Sequence, residues 1–348
     1  MLVSDFDFDL PAEQIAQTPT EDRESARLLL VHRETEACAD RRIADLPDLL
    51  EPHDLLVINE TRVFPARLLG HRVPTGGAVE CLLLTQLGDS RWDALMHPGQ
   101  KLRVGARVLF EHEGRRLHGE VVARGTFGRR TIRLWVEGDA TVDDLVDVLG
   151  HVPLPPYIRR SDLPVDRERY QTVYASVRGS VAAPTAGLHL TDALLQRCAD
   201  RGIEVARVTL HVGYGTFKPI RVEHVEEHRV DPESYDVRRE AATAVNRALD
   251  SGRRVVAVGT TTTRALETAV RVGGGRVQPG AGVSDLFLYP GVPFQAVGGL
   301  LTNFHLPRSS LLMLVSALGG RERVLGAYAQ AVQRGYRFYS YGDAMLLL

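Results

Sequence analysis

From residue 191 onward the chain alternates between short apolar strands and single helices, and this alternation restricts the fold more than any other feature. Thr191 is placed to cap a helix over 192–201, which Gly202 stops. A strand follows over 204–212, then a helix over 238–249 with Gly252 beyond its end. The apolar run 255–258 reads as a strand, Gly259 as a turn and 260–263 as the start of a helix. Residues 285–289 read as a strand, 311–318 and 323–334 as helices, and 336–341 as a last strand. Strands separated by helices predict an α/β fold with a mainly parallel, helix-covered sheet.

Residues 67–148 break that rhythm. Short β-rich pieces at 79–85, 107–110, 119–123 and 131–136 lie between glycine-rich turns, which predicts a small barrel or sandwich. The stretch falls between a candidate α/β strand at 55–58 and the later α/β pattern. The expected organisation is therefore a discontinuous α/β domain of 1–66 and 149–348 with 67–148 inserted. Pro153, Pro155 and Pro156 mark a stiff return linker. A chain of 348 residues has room for two such cores.

Composition excludes several classes. A formal net charge of −2 rules out a globally basic nucleic-acid coat, but 101–133 holds nine basic and three acidic residues, consistent with either a phosphate-tracking patch or solvated strand faces. Neither Lys101 nor Lys218 follows a glycine, so there is no P-loop. Cys38, Cys81 and Cys198 form no disulfide framework or Cys-x-x-Cys zinc site, and a reducing, cytoplasmic location is expected. Asp5, Asp7 and Asp9 oppose a signal-peptide reading, and the longest apolar run, 311–318, is too short to span a membrane. No Gly-x-Ser-x-Gly elbow of an α/β-hydrolase is present.

Several motifs carry chemical interest. His224 and His228 match H-x-x-E-H, a zinc-protease pattern, but Pro232 follows closely and a polar surface segment is preferred to a metal site. Residues 179–191 are small and nearly uncharged, with Pro184 and Gly187 turning the chain before a helix. They read either as a buried turn or as a loop that lets a ligand approach the backbone, with His189 as a proton carrier. Residues 209–219 end a strand in a Gly-x-Gly turn, and 258–264 place glycine and then four threonines at a helix start. The threonines there either cap the helix or orient a ligand. Residues 301–307 and 336–343 combine aromatic and polar groups near chain reversals, suited to a stacked base or to an ordinary core strand.

Together these segments resemble the S-adenosylmethionine:tRNA ribosyltransferase-isomerases of queuosine biosynthesis. The resemblance runs through Phe6-Asp-Phe-Asp-Leu-Pro11, Asn59-Glu-Thr-Arg-Val63, Pro65-Ala-Arg67, Pro153-Leu-Pro-Pro-Tyr-Ile158 and Tyr170-Gln-Thr-Val-Tyr-Ala175. It continues through 179–191, 209–217, Gly259-Thr-Thr, Thr302-Asn-Phe-His-Leu-Pro307, Leu311-Leu-Met-Leu-Val-Ser316 and Tyr341-Gly-Asp-Ala-Met345. The chain departs from the family at Leu190 (usually Phe), Asp231 (usually a second histidine) and Thr262–Thr263 (usually Ser-Val).

The resemblance implies transfer and isomerisation of the ribosyl part of S-adenosylmethionine onto 7-aminomethyl-7-deazaguanine (preQ1) at the tRNA wobble position. Epoxyqueuosine tRNA results, and adenine and methionine leave. No cofactor beyond S-adenosylmethionine as co-substrate, no metal, no membrane and no obligate protein partner is implied. On this reading His189, His211 and His305 are the proton-transfer candidates, with Asp343 orienting one of them or binding a ribose hydroxyl. Pro184, Thr185, Gly187, Gly213, Gly215, Thr216, Thr260, Thr261 and Asn303 contact S-adenosylmethionine. Arg103, Arg107, Arg115, Arg129 and Arg130 contact tRNA phosphates. The rival classes are a conventional S-adenosylmethionine-dependent tRNA methyltransferase and a non-enzymatic tRNA-binding module.

Overall fold

The computed structural model describes residues 1–35, 37–88 and 90–348. The chain enters through β1 (Arg27–Val31), β2 (Cys38–Arg42), the short helix α1 (Leu46–Leu49), β3 (Leu55–Asn59) and β4 (Thr61–Val63). Six strands follow: β5 (Arg67–Val73), β6 (Ala78–Gly88), β7 (Arg91–His97), β8 (Arg107–His112), β9 (Arg115–Arg124) and β10 (Arg129–Trp135). They close into a barrel in the order β10-β7-β6-β5-β8-β9, every pair antiparallel. Alternate residues point inward: Val79, Cys81 and Leu83 of β6 join Phe110, Leu117 and Ile132 in one core. Helix α2 (Val142–Leu149) buries Leu145, Val146 and Leu149 against that core.

The chain then passes α3 (Asp166–Arg169), β11 (Val177–Ser180), α4 (Asp192–Asp200), β12 (Glu204–Leu210) and β13 (Glu233–Val237). Next come α5 (Arg239–Asp250), β14 (Val255–Val258), α6 (Thr260–Val272), β15 (Gly280–Ser284) and β16 (Gly299–Asn303). The chain closes with α7 (Ser310–Gly319), α8 (Arg321–Gln333) and β17 (Ala344–Leu347). Nine strands form one sheet in the order β15-β13-β12-β3-β14-β16-β17-β1-β2. The middle pairings, β12 to β3 to β14 to β16, are parallel, as is β17 with β1. The other four pairings, at the two flanks and between β16 and β17, are antiparallel. Among the described residues no helix is long and apolar enough to cross a membrane.

The sheet is covered on both faces. Leu55 and Val57 of β3 face α5–α8, while Leu56 and Ile58 face α1 and α4. A strand buried on both sides needs a continuous apolar run, which 55–58 and 255–258 supply. Local signals also act as read: the Thr191 hydroxyl caps α4 by accepting from Leu194 N at 3.0 Å, and Gly202 turns with φ +82°.

Two expected strands differ. Residues 285–289 are irregular, and the edge strand is Gly280–Ser284. Its last pair is Ser284 with Glu233, and the residue before Glu233 is Pro232, which has no N–H to continue the ladder. Residues 336–341 are likewise not a strand. Tyr339 turns the backbone with φ +73°, and Phe304, Tyr328, Tyr336 and Phe338 pack as an aromatic cluster, edge-to-face except for the tilted Phe304–Phe338 pair. The closing strand is the wholly apolar Ala344–Leu347.

Candidate active site

The chain leaves β3 for the barrel, returns as β12 on one side of β3, and later enters β14 on the other side. That reversal opens a crevice at the carboxyl ends of the parallel strands, where such sheets bind ligands. Asn59, the last residue of β3, is fully buried and stitches the crevice together. Its Oδ1 accepts from Leu210 N at 3.0 Å and Thr61 N at 3.1 Å. Its Nδ2 donates to Leu210 O at 2.9 Å and faces Thr261 Oγ1 at 3.4 Å.

A cleft open to solvent lies over these strand ends. One wall is the small-residue loop Ala182–Ala186, including Pro184 and Thr185. Gly259 (φ +90°) lets β14 turn sharply into α6, which brings Thr260 and Thr261 and the helix's first N–H groups to the cleft. Thr262 and Thr263 instead donate back to Val258 O and Gly259 O. Asn303 and His305, at and beyond the end of β16, form the opposite wall with Tyr157, Tyr339 and Ser340. Thr216 and Leu311 border both this cleft and a second hollow lined by Gly215, Lys218, Asp231, Glu233 and Arg264. Val212 borders a third that holds His211 and Gly213 and extends to Trp92 and Leu84 of the barrel.

The three histidines occupy different settings. His305 lines the cleft, with its Nε2 2.9 Å from Thr302 Oγ1, and burial pulls its pKa down to about 3. His189 sits behind the wall: its Nε2 accepts from Asn303 Nδ2 at 3.1 Å, and burial, then Arg23 and Arg337, lower it to about 4. His211 is half-buried, 2.8 Å from Thr61 Oγ1 through Nδ1, and burial lowers its pKa. A Cβ on Gly179 (φ +151°) would lie 2.7 Å from the His211 ring, so only glycine admits the imidazole there.

Other expected contacts separate. Gly187 faces the Tyr174 hydroxyl rather than the cleft. Asp343 spends both carboxylate oxygens on backbone, accepting from Arg27 N at 2.9 Å and Arg337 N at 2.8 Å, and so fixes the loop before β17. His224 and His228 flank a short 3-10 turn, Val225–Glu227, in extended conformations; they share no helical face.

On the barrel, Arg103, Arg107, Arg115 and Arg129 are exposed. Arg130 is not: at 2% exposure it donates to Leu102 O, Arg129 O and Gly99 O. The expected phosphate contact at Arg130 is thereby corrected, since its guanidinium is used up by carbonyls that tie the loop at 98–102 to β10. A Cβ on Gly99 would lie 3.9 Å from Gly128 Cα, so this loop abuts the β9–β10 turn. That turn, closed by Arg129 N to Thr126 O at 2.9 Å, lifts Phe127 to 91% exposure between the exposed Arg124 and Arg129.

Asn59 entered the sequence reading only as the head of a family motif and Arg264 only as the end of 258–264, while Phe127 and Glu233 did not enter it as site residues. Asn59 had a signal in ending an apolar strand, and Phe127 in standing among arginines. Glu233 and Arg264 had none, because they meet only through the fold.

The chain matches the family model described as queuosine biosynthesis protein over residues 3–347. A relative from Heliobacterium modesticaldum, named S-adenosylmethionine:tRNA ribosyltransferase-isomerase, is 51% identical over 348 residues, covering 100% of each chain. One of the same name from Symbiobacterium thermophilum is 53% identical over 348 residues with the same coverage. The crystal structure of S-adenosylmethionine tRNA ribosyltransferase from Thermotoga maritima is 35% identical, covers 99% of this chain and 100% of its own, and superposes with a TM-score of 0.55.

Proposed function

Because the chain belongs to the queuosine biosynthesis protein family, we propose that it transfers and isomerises the ribosyl part of S-adenosylmethionine onto preQ1 at the wobble position of tRNA. The product is epoxyqueuosine tRNA, and adenine and methionine leave. The observation that carries this reading within the family is the cleft at the sheet's reversal point, where Thr260, Thr261, Asn303 and His305 converge.

The reagent sets what the site must do. A sulfonium acidifies the adjacent 5′ C–H; a base removes that proton, and the ribose opens with loss of adenine, which takes up a proton. The preQ1 amine then attacks, and an alkoxide closes the epoxide as methionine departs. The site must therefore supply a base, deliver a proton to the departing adenine and exclude water. Burial lowers the pKa of His305 to about 3 and of His189 to about 4, which leaves both weak bases, so we assign them as hydrogen-bonding groups on the cleft wall and behind it. We assign the base to His211, the least buried of the three, held through Nδ1 by Thr61 and facing the hollow that reaches toward the barrel.

We assign tRNA binding to the barrel, treating 67–148 as a unit distinct from 1–66 and 149–348. Support comes from the exposed Arg124 and Arg129 flanking Phe127, a pairing of cations with a bare aromatic face that suits a phosphate backbone carrying an unstacked base, with Arg103 exposed elsewhere on the same barrel. Phe127→Ala is expected to weaken tRNA binding about tenfold, from the ~1–3 kcal/mol that one stacked base contributes, while Phe127→Trp keeps it. Filter binding at fixed salt measures this, and equal affinity of the alanine variant refutes the assignment.

The reaction itself is tested with S-adenosylmethionine labelled separately in ribose and methyl group, plus preQ1-containing tRNA. Ribose label should reach the RNA while methyl label stays in methionine. Methyl label in RNA with S-adenosylhomocysteine formed would instead establish a methyltransferase. Salt-sensitive tRNA binding without turnover would establish a binding module.

A further inference from the structure

The hollow beside the cleft contains an ion pair of unusual placement. Arg264 of α6 pairs with Glu233 of β13, and their side chains are only 6% and 3% exposed. Glu233 Oε1 also accepts from Gly213 N at 2.8 Å. Among the described residues Arg264 Nε has no hydrogen-bond partner although it is buried. Removing such a pair from water is costly, and an unpaired N–H on it adds to that cost. Facing the pair is an apolar wall of Leu286, Phe287, Leu288, Leu311 and Leu314. At the rim Lys218 binds Asp231 at 2.5 Å, and Arg229 adds a further positive charge.

We propose that Arg264 and Glu233 bind the amino-acid end of S-adenosylmethionine, Arg264 holding the α-carboxylate and Glu233 the α-ammonium. The inference rests on the co-substrate reading above. A fixed cation and anion side by side match a zwitterion charge for charge, and each carboxylate oxygen of Glu233 retains a lone pair for a further donor. The apolar wall suits the methylene chain that leads to sulfur. Thr216 and Leu311 border both hollows, so a ligand with its nucleoside between Thr260 and Asn303 extends past them to Arg264.

The test compares two probes on the full chain by titration calorimetry. S-adenosylhomocysteine carries the amino-acid end; 5′-methylthioadenosine has the nucleoside and sulfur without it. The unaltered protein should prefer S-adenosylhomocysteine. Arg264→Gln should weaken that ligand by about 10- to 100-fold, as loss of a charged hydrogen bond implies, and leave methylthioadenosine within about twofold. Retained preference in Arg264→Gln overturns the inference. If the single variant does not fold, the neutral pair Glu233→Gln with Arg264→Gln decides it by the same ratio. Equal affinity of the unaltered protein for both probes overturns this inference alone, whereas binding of neither removes the co-substrate reading as well.

Discussion

Asn303→Leu is expected to lower kcat/KM by about 10²- to 10³-fold, the loss typical of a removed, preorganised hydrogen-bonding group. Asn303 is 2% exposed and sits on the cleft wall. Its Nδ2 reaches His189 Nε2 at 3.1 Å, Tyr339 O at 3.2 Å and Asp343 O at 3.4 Å, tying β16 to the loop before β17. Its Oδ1 is buried and has no partner among the described residues, which leaves one acceptor for a ligand on that wall. Leucine keeps the volume but strands three acceptors and removes the free one. Asn303→Asp should be worse, because it sets a carboxylate against the His189 lone pair and two carbonyls. Adenine release under saturating tRNA measures the effect, with a thermal melt to separate folding from turnover. Turnover of the leucine variant within threefold of the unaltered protein would remove Asn303 from the site.

The second large effect is on acid stability. His189 and His305 are held neutral, with pKa values of about 4 and about 3 against an ordinary 6.5. Between these values the unfolded chain binds a proton that the folded chain refuses, so stability rises with pH across that window. The contribution of each histidine is complete above pH 6.5 and shrinks as pH falls toward the folded value. At about 1.4 kcal/mol per pH unit, each removes about 3 kcal/mol by pH 4. Glu233 and Asp343 act in the opposite sense, since burial raises both carboxyls and favours their protonation in the fold. The histidine part is therefore isolated by comparison with His305→Gln, whose amide can still meet Thr302. Urea unfolding from pH 7 to 4 should show a shallower fall for this variant, by about one proton. Equal slopes would mean that His305 titrates freely in the folded chain.

These effects bear on what a reader of the sequence can see. Capping by Thr191, the stop at Gly202, the strand 255–258 and the helix opening at Thr260 are local events, fixed by residues within a turn of one another. The barrel's inward residues alternate as a half-buried strand requires, so a β-rich insertion was legible too. Strand 285–289 was not, because whether Asp285 pairs depends on Pro232, far away in the chain. Arg130 looked like its exposed neighbours, since nothing local announces that a guanidinium will be taken up by Gly99 and Leu102 carbonyls.

The same division runs through the site. Periodicity, caps and the small-residue loops settle which segments are strands and helices, and which strand ends carry glycine, threonine and histidine, because these follow from backbone sterics and nearest-neighbour hydrogen bonds. Packing alone decides that Thr260 and His305 share a cleft while His211 opens toward the barrel, that Asp343 is consumed by backbone, and that Glu233 meets Arg264. Those outcomes depend on the order of strands across the sheet, and that order is set by burying both of its faces at once, a property of the whole chain and of no segment in it.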